Sequence, residues 1–342
     1  MSSLNLLSIE QGKDYINVDE ARLPYVYKRV LGQGNSGWVE EVEDRLTNKV
    51  YARKKIPIVR YRQEERAKVF RNELSIIRGL ESHHHIISVF ATYVTPQNFG
   101  LILQPVASDG DLQLFLVAFW KIADDVAATG QQDARLDSMR LVLRRAFGCL
   151  AAGLAFMHEK KIRHKDVKPS NILVHKGAVI YTDFGYSFDF SGFNRSTTEG
   201  APNFLTRRYS SPELSMHEPR NSKSDVFSLG CVFIEILSAL TLDRALDATS
   251  SVGFSAALEF LHKQLSSIDA ASCPSSLVEI VIRMTKRQPS QRVCSVHMAE
   301  VVLEVPAFCC TDCSRTPIGI WKQHVKDDGC HVELNEDVEE PE

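Results

Sequence analysis

His164-Lys165-Asp166-Val167-Lys168-Pro169-Ser170-Asn171 is the stretch on which the reading of this chain turns, together with Asp183-Phe184-Gly185 downstream of it. The first segment leads into a short apolar run, Ile172 to Val174, and the second follows the strand-like Val179-Ile180-Tyr181. Upstream, Ser138 to His158 reads as a long helix with Leu141, Ala146, Cys149, Leu150, Gly153, Leu154 and Met157 on or near one face. Downstream, residues 224–237 (SDVFSLGCVFIEIL) are apolar on nearly every side, which suits a helix in the centre of a domain.

Toward the N-terminus the texture changes to strands with one helix. Leu31 to Val39 reads LGQGNSGWV, with Gly32, Gly34, Gly37 and Val39 in a G-x-G-x-x-G-x-V pattern. Glycine lets a backbone approach a phosphate closely. The same triplet marks dinucleotide folds, where it joins a strand to a helix. Here Val39 and Val42 read as strand and another strand follows, which favours a loop between two strands. In VYARKKI, Ala52 and Lys54 share a face and Lys55 points the other way. The helix after it repeats Phe70, Leu74 and Ile77, and Glu73 falls on the face turned to the core. A carboxylate there is costly unless paired, and Lys54 is its natural partner. The bland alternative is a lysine-rich strand beside an amphipathic helix.

With these parts in register, the chain from about Tyr25 to about Val305 resembles the protein kinase family of the eukaryotic serine/threonine type. The resemblance implies an α+β, bilobal fold: a small antiparallel β-sheet N-lobe with one helix, about 25–103, and a larger mainly helical C-lobe, about 107–305. It implies that Asp166 accepts the substrate hydroxyl's proton, that Lys168 supplies charge at the transferring phosphoryl group, and that Asn171 and Asp183 hold Mg²⁺. In the family a lysine at the position of Lys168 marks serine/threonine specificity. The implied ATP site is lined by Leu31, Gly32, Gly34, Gly37, Val39, Ala52 and Lys54, with Leu103 as gatekeeper, Gln104, Pro105 and Val106 as hinge, and Asp111 at the ribose. Ser211-Pro212-Glu213 looks like the end of an activation segment, Arg292 like the partner of that glutamate, and Asp225 like the acid that braces the catalytic loop. Thr206 matches the threonine that touches the catalytic Asp and Lys. Several segments look similar to kinases of filamentous fungi, which identifies no substrate.

The chain also departs from the pattern. Lys165 stands where the family usually has arginine, and lysine keeps the charge but loses the planar fork that grips phosphate. Ser196, Thr197 and Thr198 lie where activation-loop phosphorylation would fall, so a weak dependence on it is expected; a solvated polar loop is the other reading. Ser170 and Ser210 replace the residues that mark basophilic and proline-directed kinases. The retained Lys54, Glu73, Asp166, Asn171 and Asp183 favour an active enzyme over the main alternative, a pseudokinase-type scaffold or binding module.

The rest of the chain bounds its setting. The 342 residues carry a net charge of −3, 44% hydrophobic and 24% charged residues, so a basic nucleic-acid footprint is missing. No apolar run is expected to reach membrane-spanning length, and residues 1–24 read as a polar N-terminal extension without the pattern of a secretory leader. All eight cysteines are therefore read as reduced thiols or metal ligands, in the cytoplasm or nucleus. Residues 306–342 form a cysteine-rich, then acidic tail in which Cys310, Cys313, His324 and Cys330 resemble a small zinc finger, with Trp321 as a minimal core. The alternative is a disordered tail with reduced cysteines. Its three Lys or Arg against nine Asp or Glu disfavour nucleic acid and favour a protein partner. His83, His84 and His85 are read as structural, since three consecutive residues converge poorly on one ion.

Overall fold

The computed structural model describes residues 5–34, 37–59, 62–192, 197–198, 207–247 and 253–315. Alternating side chains dictate the first half. Strands β1 (Asp14–Tyr15), β2 (Tyr25–Gly34), β3 (Gly37–Asp44), β4 (Val50–Pro57), β5 (Ser88–Val94) and β6 (Asn98–Gln104) form one sheet in the order β1-β5-β6-β4-β3-β2. Helix α1 (Gln63–Leu80) lies between β4 and β5 in the chain. Every pairing is antiparallel except β1 with β5, which is parallel.

That parallel edge comes from residues read as a polar lead-in. Ile9, Val18 and Leu23 are buried with Val42, Tyr51, Tyr93 and Ile102 on one face of the sheet, and α1 covers the other with Phe70, Ile76, Ile77 and Leu80. Strand β4 is consequently buried on both faces: Ala52, Lys54 and Ile56 look toward α1, while Tyr51 and Arg53 look toward the N-terminal segment. Arg53 is tolerated there because its guanidinium meets Glu40 at 2.6 Å. Lys55 meets Glu20 at 2.8 Å, so the lead-in also supplies charge to the sheet.

The helical half is built on two long apolar helices. Helix α2 (Leu112–Thr129) is capped by Asp111, whose Oδ1 accepts the Leu114 amide at 2.9 Å. Helix α3 (Ala134–Glu159) begins four residues before the expected Ser138, because its polar first turn, capped by Asp133, shows no apolar period. After it come the short strands β7 (Ile162–Arg163), β8 (Ile172–His175), β9 (Ala178–Tyr181) and β10 (Phe188–Asp189), paired β8 with β9 and β7 with β10. Helices α4 (Pro212–Ser215), α5 (Lys223–Thr241), α6 (Leu258–Ser266), α7 (Ser275–Met284), α8 (Ser295–Leu303) and α9 (Thr311–Ser314) complete the described chain. Val226, Phe227, Leu229, Val232, Phe233, Ile236 and Leu237 of α5 are all buried, as its all-round apolar pattern requires. By length and composition α3 and α5 are long and apolar enough to cross a membrane, contrary to the expectation that no segment is; 72% and 78% of their apolar windows are buried inside the domain, so they serve as its core.

The tail is also partly core. Phe308 packs edge-on to Phe147 of α3 at 5.5 Å between ring centroids, and Cys309 and Cys313 are buried. A Cβ at Gly148 of α3 would lie 2.7 Å from both Cys309 Cβ and Phe308 O, so glycine is what allows this approach. Six of the seven described cysteines are free thiols; Cys294 is disulfide-bonded, which departs from the expectation of uniformly reduced cysteines.

Candidate active site

Strand β4 and helix α1 aim their charged residues at one point. Lys54 Nζ lies 2.7 and 2.9 Å from the two Glu73 oxygens and 2.7 Å from Asp183 Oδ1. The pairing expected from the Glu73 position therefore forms, and Asp183 joins it. Burial alone would lower the Lys54 amine, but the two carboxylates outweigh it and hold it above the ordinary lysine value. Asp183 is held low by the Lys54 charge, against its burial. Glu73, at 1% exposure, is pushed up by burial and by Asp183, with Lys54 opposing. Asp183 adopts a left-handed backbone, φ 61°, the kind of strain that persists where surrounding contacts over-determine it. Phe184, fully buried, packs its ring at a tilt against His164, 4.9 Å between centroids, and anchors the turn.

The loop between β7 and β8 is held from beneath by α5. Asp225 accepts the amides of His164 at 2.8 Å and Lys165 at 2.9 Å, and His158 Nε2 donates to it at 3.1 Å. Burial would raise its carboxyl; the hydrogen bond and charge of His158, with Arg163 and His164, bring it instead to about 2. On the open side of the loop Lys168 Nζ donates to Asp166 Oδ2 at 2.7 Å. Asn171 Nδ2 donates to the same oxygen and to the Asp166 carbonyl, each at 2.9 Å. Those bonds turn the Asn171 amide oxygen away from Asp166. That oxygen and the Asp183 carboxylate are hard donors of the kind that would hold Mg²⁺.

Gly32, Gly34 and Gly37 sit at the turn of the β2–β3 hairpin, with Gly34 opposite Gly37. A Cβ on Gly37 would lie 1.9 Å from the Lys55 carbonyl, so that glycine is required by strand packing as well as by any phosphate; nothing lies within 4 Å at Gly32. Ala52 pairs with Leu103, and Val39 with Lys54, across the sheet, with Leu31, Val39 and Val106 half-buried around them. The Gln104–Pro105 peptide is cis. An open cleft of about 510 Å³ lies against this hinge, lined by Val50, Ser88, Gln104, Pro105, Val106 and His175; Lys54, Asp166 and Asp183 are not among its walls. Asp111, expected at a ribose, already spends one oxygen on the α2 cap.

In the segment after Asp183, Ser196 and Thr206 lie outside the described residues, and Thr197 is exposed. Thr198 exchanges backbone hydrogen bonds with Arg220, and its hydroxyl accepts from Arg163 at 3.3 Å. Lys165 is lowered by burial and by the charges of Arg163 and Arg220, so Arg163, which reaches the threonine, belongs to a cluster of three cations. Reading the sequence missed Arg163 and Arg220: isolated arginines carry no local signal, and only the chain's return from α4 to α5 brings them together. Glu213 and Arg292 form a buried two-pronged pair, 2.7 Å on each prong.

Of the four residues read as a small zinc finger, two are described. Cys310 and Cys313 meet His84 and His85, while His324 and Cys330 lie outside the described residues. The three histidines are read from sequence as structural, converging poorly on one ion; in the fold His84 and His85 are the central residues of a turn closed by the Ile86 amide on His83 O at 3.0 Å. In a strand they would point to opposite faces; the turn sends both rings to one side.

Comparison with known proteins agrees with this geometry. Residues 25–304 match the protein kinase domain family, and the chain belongs to that family. It is 29% identical to the serine/threonine-protein kinase nekl-2 of Caenorhabditis elegans, over 54% of this chain and 48% of that protein. It is 31% identical to the serine/threonine-protein kinase Nek1 of Mus musculus, over 66% of this chain and 17% of that one. With the serine/threonine-protein kinase H2 of Homo sapiens the identity is 27%, over 63% and 51%. The chain thus spans about half or less of the length of these curated relatives.

Proposed function

We propose that this protein transfers the γ-phosphoryl group of ATP to serine and threonine hydroxyls of protein substrates. The observation that carries the reading is the convergence of Lys54, Glu73 and Asp183 beside the Asp166, Lys168 and Asn171 cluster, with every side chain of the phosphoryl-transfer set retained. Lys54, fixed by Glu73, holds the ATP phosphates by charge. Asp183 and Asn171 would hold Mg²⁺, which neutralises triphosphate charge when bound. Asp166 orients the incoming hydroxyl and takes its proton, and Lys168, already on the Asp166 carboxylate, stabilises charge on the moving phosphoryl group. Ala52, Leu103 and the Gln104–Val106 hinge supply the apolar slot and backbone groups for adenine, with Gly32, Gly34 and Gly37 over the phosphates. A pseudokinase scaffold would be favoured by a lost catalytic residue, and none is lost.

The reading extends to the setting. We place the protein in the cytoplasm or nucleus, on the free thiols that make up six of the seven described cysteines, Cys294 being the exception, acting on proteins rather than nucleic acid or membranes. We also assign zinc to the C-terminal tail, and a protein contact to its acidic end. The test is transfer of labelled phosphate from ATP with Mg²⁺ to a generic protein substrate, beside an Asp166→Asn control. Label on Ser or Thr that vanishes in the control supports the enzyme; ATP binding without transfer in the wild type supports the scaffold.

A further inference from the structure

The turn after α1 and the segment after α8 meet in a cluster the phosphoryl-transfer chemistry does not use. Cys310 Sγ lies 3.4 Å from His84 Nε2 and 3.5 Å from His85 Nε2, and Cys313 Sγ lies 3.5 Å from His84 Nε2. All four ligand atoms fall within 4.8 Å of one another. We propose that His84, His85, Cys310 and Cys313 bind one zinc ion that clamps the tail to the base of the N-lobe. The proposal rests on the assignment of zinc to the tail and replaces the tail's own His324 and Cys330 as ligands.

Geometry and chemistry agree on the ion. Tetrahedral zinc, with bonds of about 2.3 Å to sulfur and about 2.0–2.1 Å to nitrogen, places sulfur and nitrogen about 3.6 Å apart. The three distances, 3.4 to 3.5 Å, sit close to that spacing. Two thiolates and two imidazoles select a soft or borderline cation over magnesium or calcium. Two thiolates also cancel the charge of a divalent ion, which suits a site where His85 and Cys313 are buried.

The surroundings hold the ligands in place. His85 Nδ1 donates to the Val179 carbonyl at 2.6 Å, which fixes the tautomer and leaves Nε2 as the donor atom. The Cys310 amide donates to Cys149 Sγ at 3.2 Å, pinning the start of α9 to α3. A cavity of about 190 Å³, lined in part by His84, His85 and Cys310, borders the cluster.

The clamp would join the elements that build the active site. The histidine turn follows α1, which carries Glu73, and His85 O accepts the amide of Tyr181, two residues before Asp183. Zinc there would hold the α1 end, strand β9 and the tail as one unit. Zinc loss is therefore expected to lower thermal stability and loosen the α1 end before it touches the catalytic groups.

The test uses the full chain. Zinc is measured by elemental analysis, and the Co²⁺-substituted protein is examined for thiolate charge-transfer and tetrahedral d–d absorption bands. One zinc per chain is expected in the wild type, lost in Cys310→Ser/Cys313→Ser and held at least about tenfold more weakly in His84→Ala. His84 is exposed, so its variant is expected to fold, and circular dichroism checks that. His84→Cys is expected to restore binding with stronger charge-transfer bands, which a purely structural histidine would not do. His324→Ala/Cys330→Ser is expected to keep the ion. Loss of zinc in that variant with retention in His84→Ala overturns this ligand set while leaving zinc in the tail. No zinc and no cobalt bands in the wild type overturn both.

Discussion

Glu73 and Lys54 come from different elements, a helix and a strand, yet their charged atoms meet 2.7 Å apart in a site where Glu73 is 1% exposed. Removing one partner leaves a buried charge with half its compensation, a change on the order of 3–5 kcal/mol. Glu73→Gln keeps the shape and removes the charge, leaving Lys54 drawn to Asp183 alone. Its phosphoryl-transfer rate is expected to fall about 10- to 100-fold, with a lowered unfolding temperature. Steady-state kinetics across ATP concentrations and thermal unfolding check both; an unchanged rate removes the pair from the mechanism.

Asp166 should separate chemistry from binding. Asp166→Asn retains an oxygen for Lys168 and Asn171 but loses the base. The turnover number is expected to drop by at least about a hundredfold, with ATP affinity changed little. Titration with a fluorescent nucleotide alongside the kinetics makes the distinction.

The buried fork between Glu213 and Arg292 should act on stability. Arg292 is 2% exposed, and Arg292→Met strands Glu213, at about 3–5 kcal/mol. The Glu213→Met/Arg292→Met double variant is expected to recover part of that, because no charge is left alone. Denaturant unfolding of the four proteins of this cycle measures the recovery.

Acid should loosen the catalytic loop through Asp225. Its folded carboxyl titrates at about 2, below the ordinary value. The stability it contributes is therefore fully present above about pH 4 and is lost as pH falls toward about 2, an effect on the order of 2 kcal/mol. Unfolding free energies between pH 5 and pH 2 should decline less steeply in Asp225→Asn, which is also less stable at neutral pH. Parallel slopes would exclude Asp225 as the source.

The Thr198 hydroxyl accepts from Arg163, so a phosphate there would meet at least that guanidinium. The loop is already paired to Arg220 without it. Thr197→Ala/Thr198→Ala is expected to retain more than about a tenth of the wild-type activity, while phosphorylated protein unfolds at a higher temperature. A larger loss of activity makes phosphorylation the switch.

How much was legible in the sequence depended on whether a residue's signal is local. The period of two through VYARKKI placed Lys54 and the helical period around Phe70 placed Glu73, so their meeting was readable before any coordinates. The all-round apolar run at 224–237 likewise announced a core helix. Residues 5–24 carried no period, because their few apolar side chains pack against a sheet edge whose position depends on the rest of the fold. The start of α3 was hidden by the polar turn that caps it.

By itself, the sequence determined the chemistry of the kinase site: Asp166, Lys168, Asn171 and Asp183 lie in two short segments whose order and spacing already hold them near one another. Only the tertiary structure decided which residues face Thr198 and which meet Cys310 and Cys313. The histidines stand more than two hundred positions from those cysteines, at 226 residues between His84 and Cys310. A local pattern reports how side chains are presented along one helix, strand or turn; the partner across such a gap is set by how the elements pack, and that information is spread over the whole core.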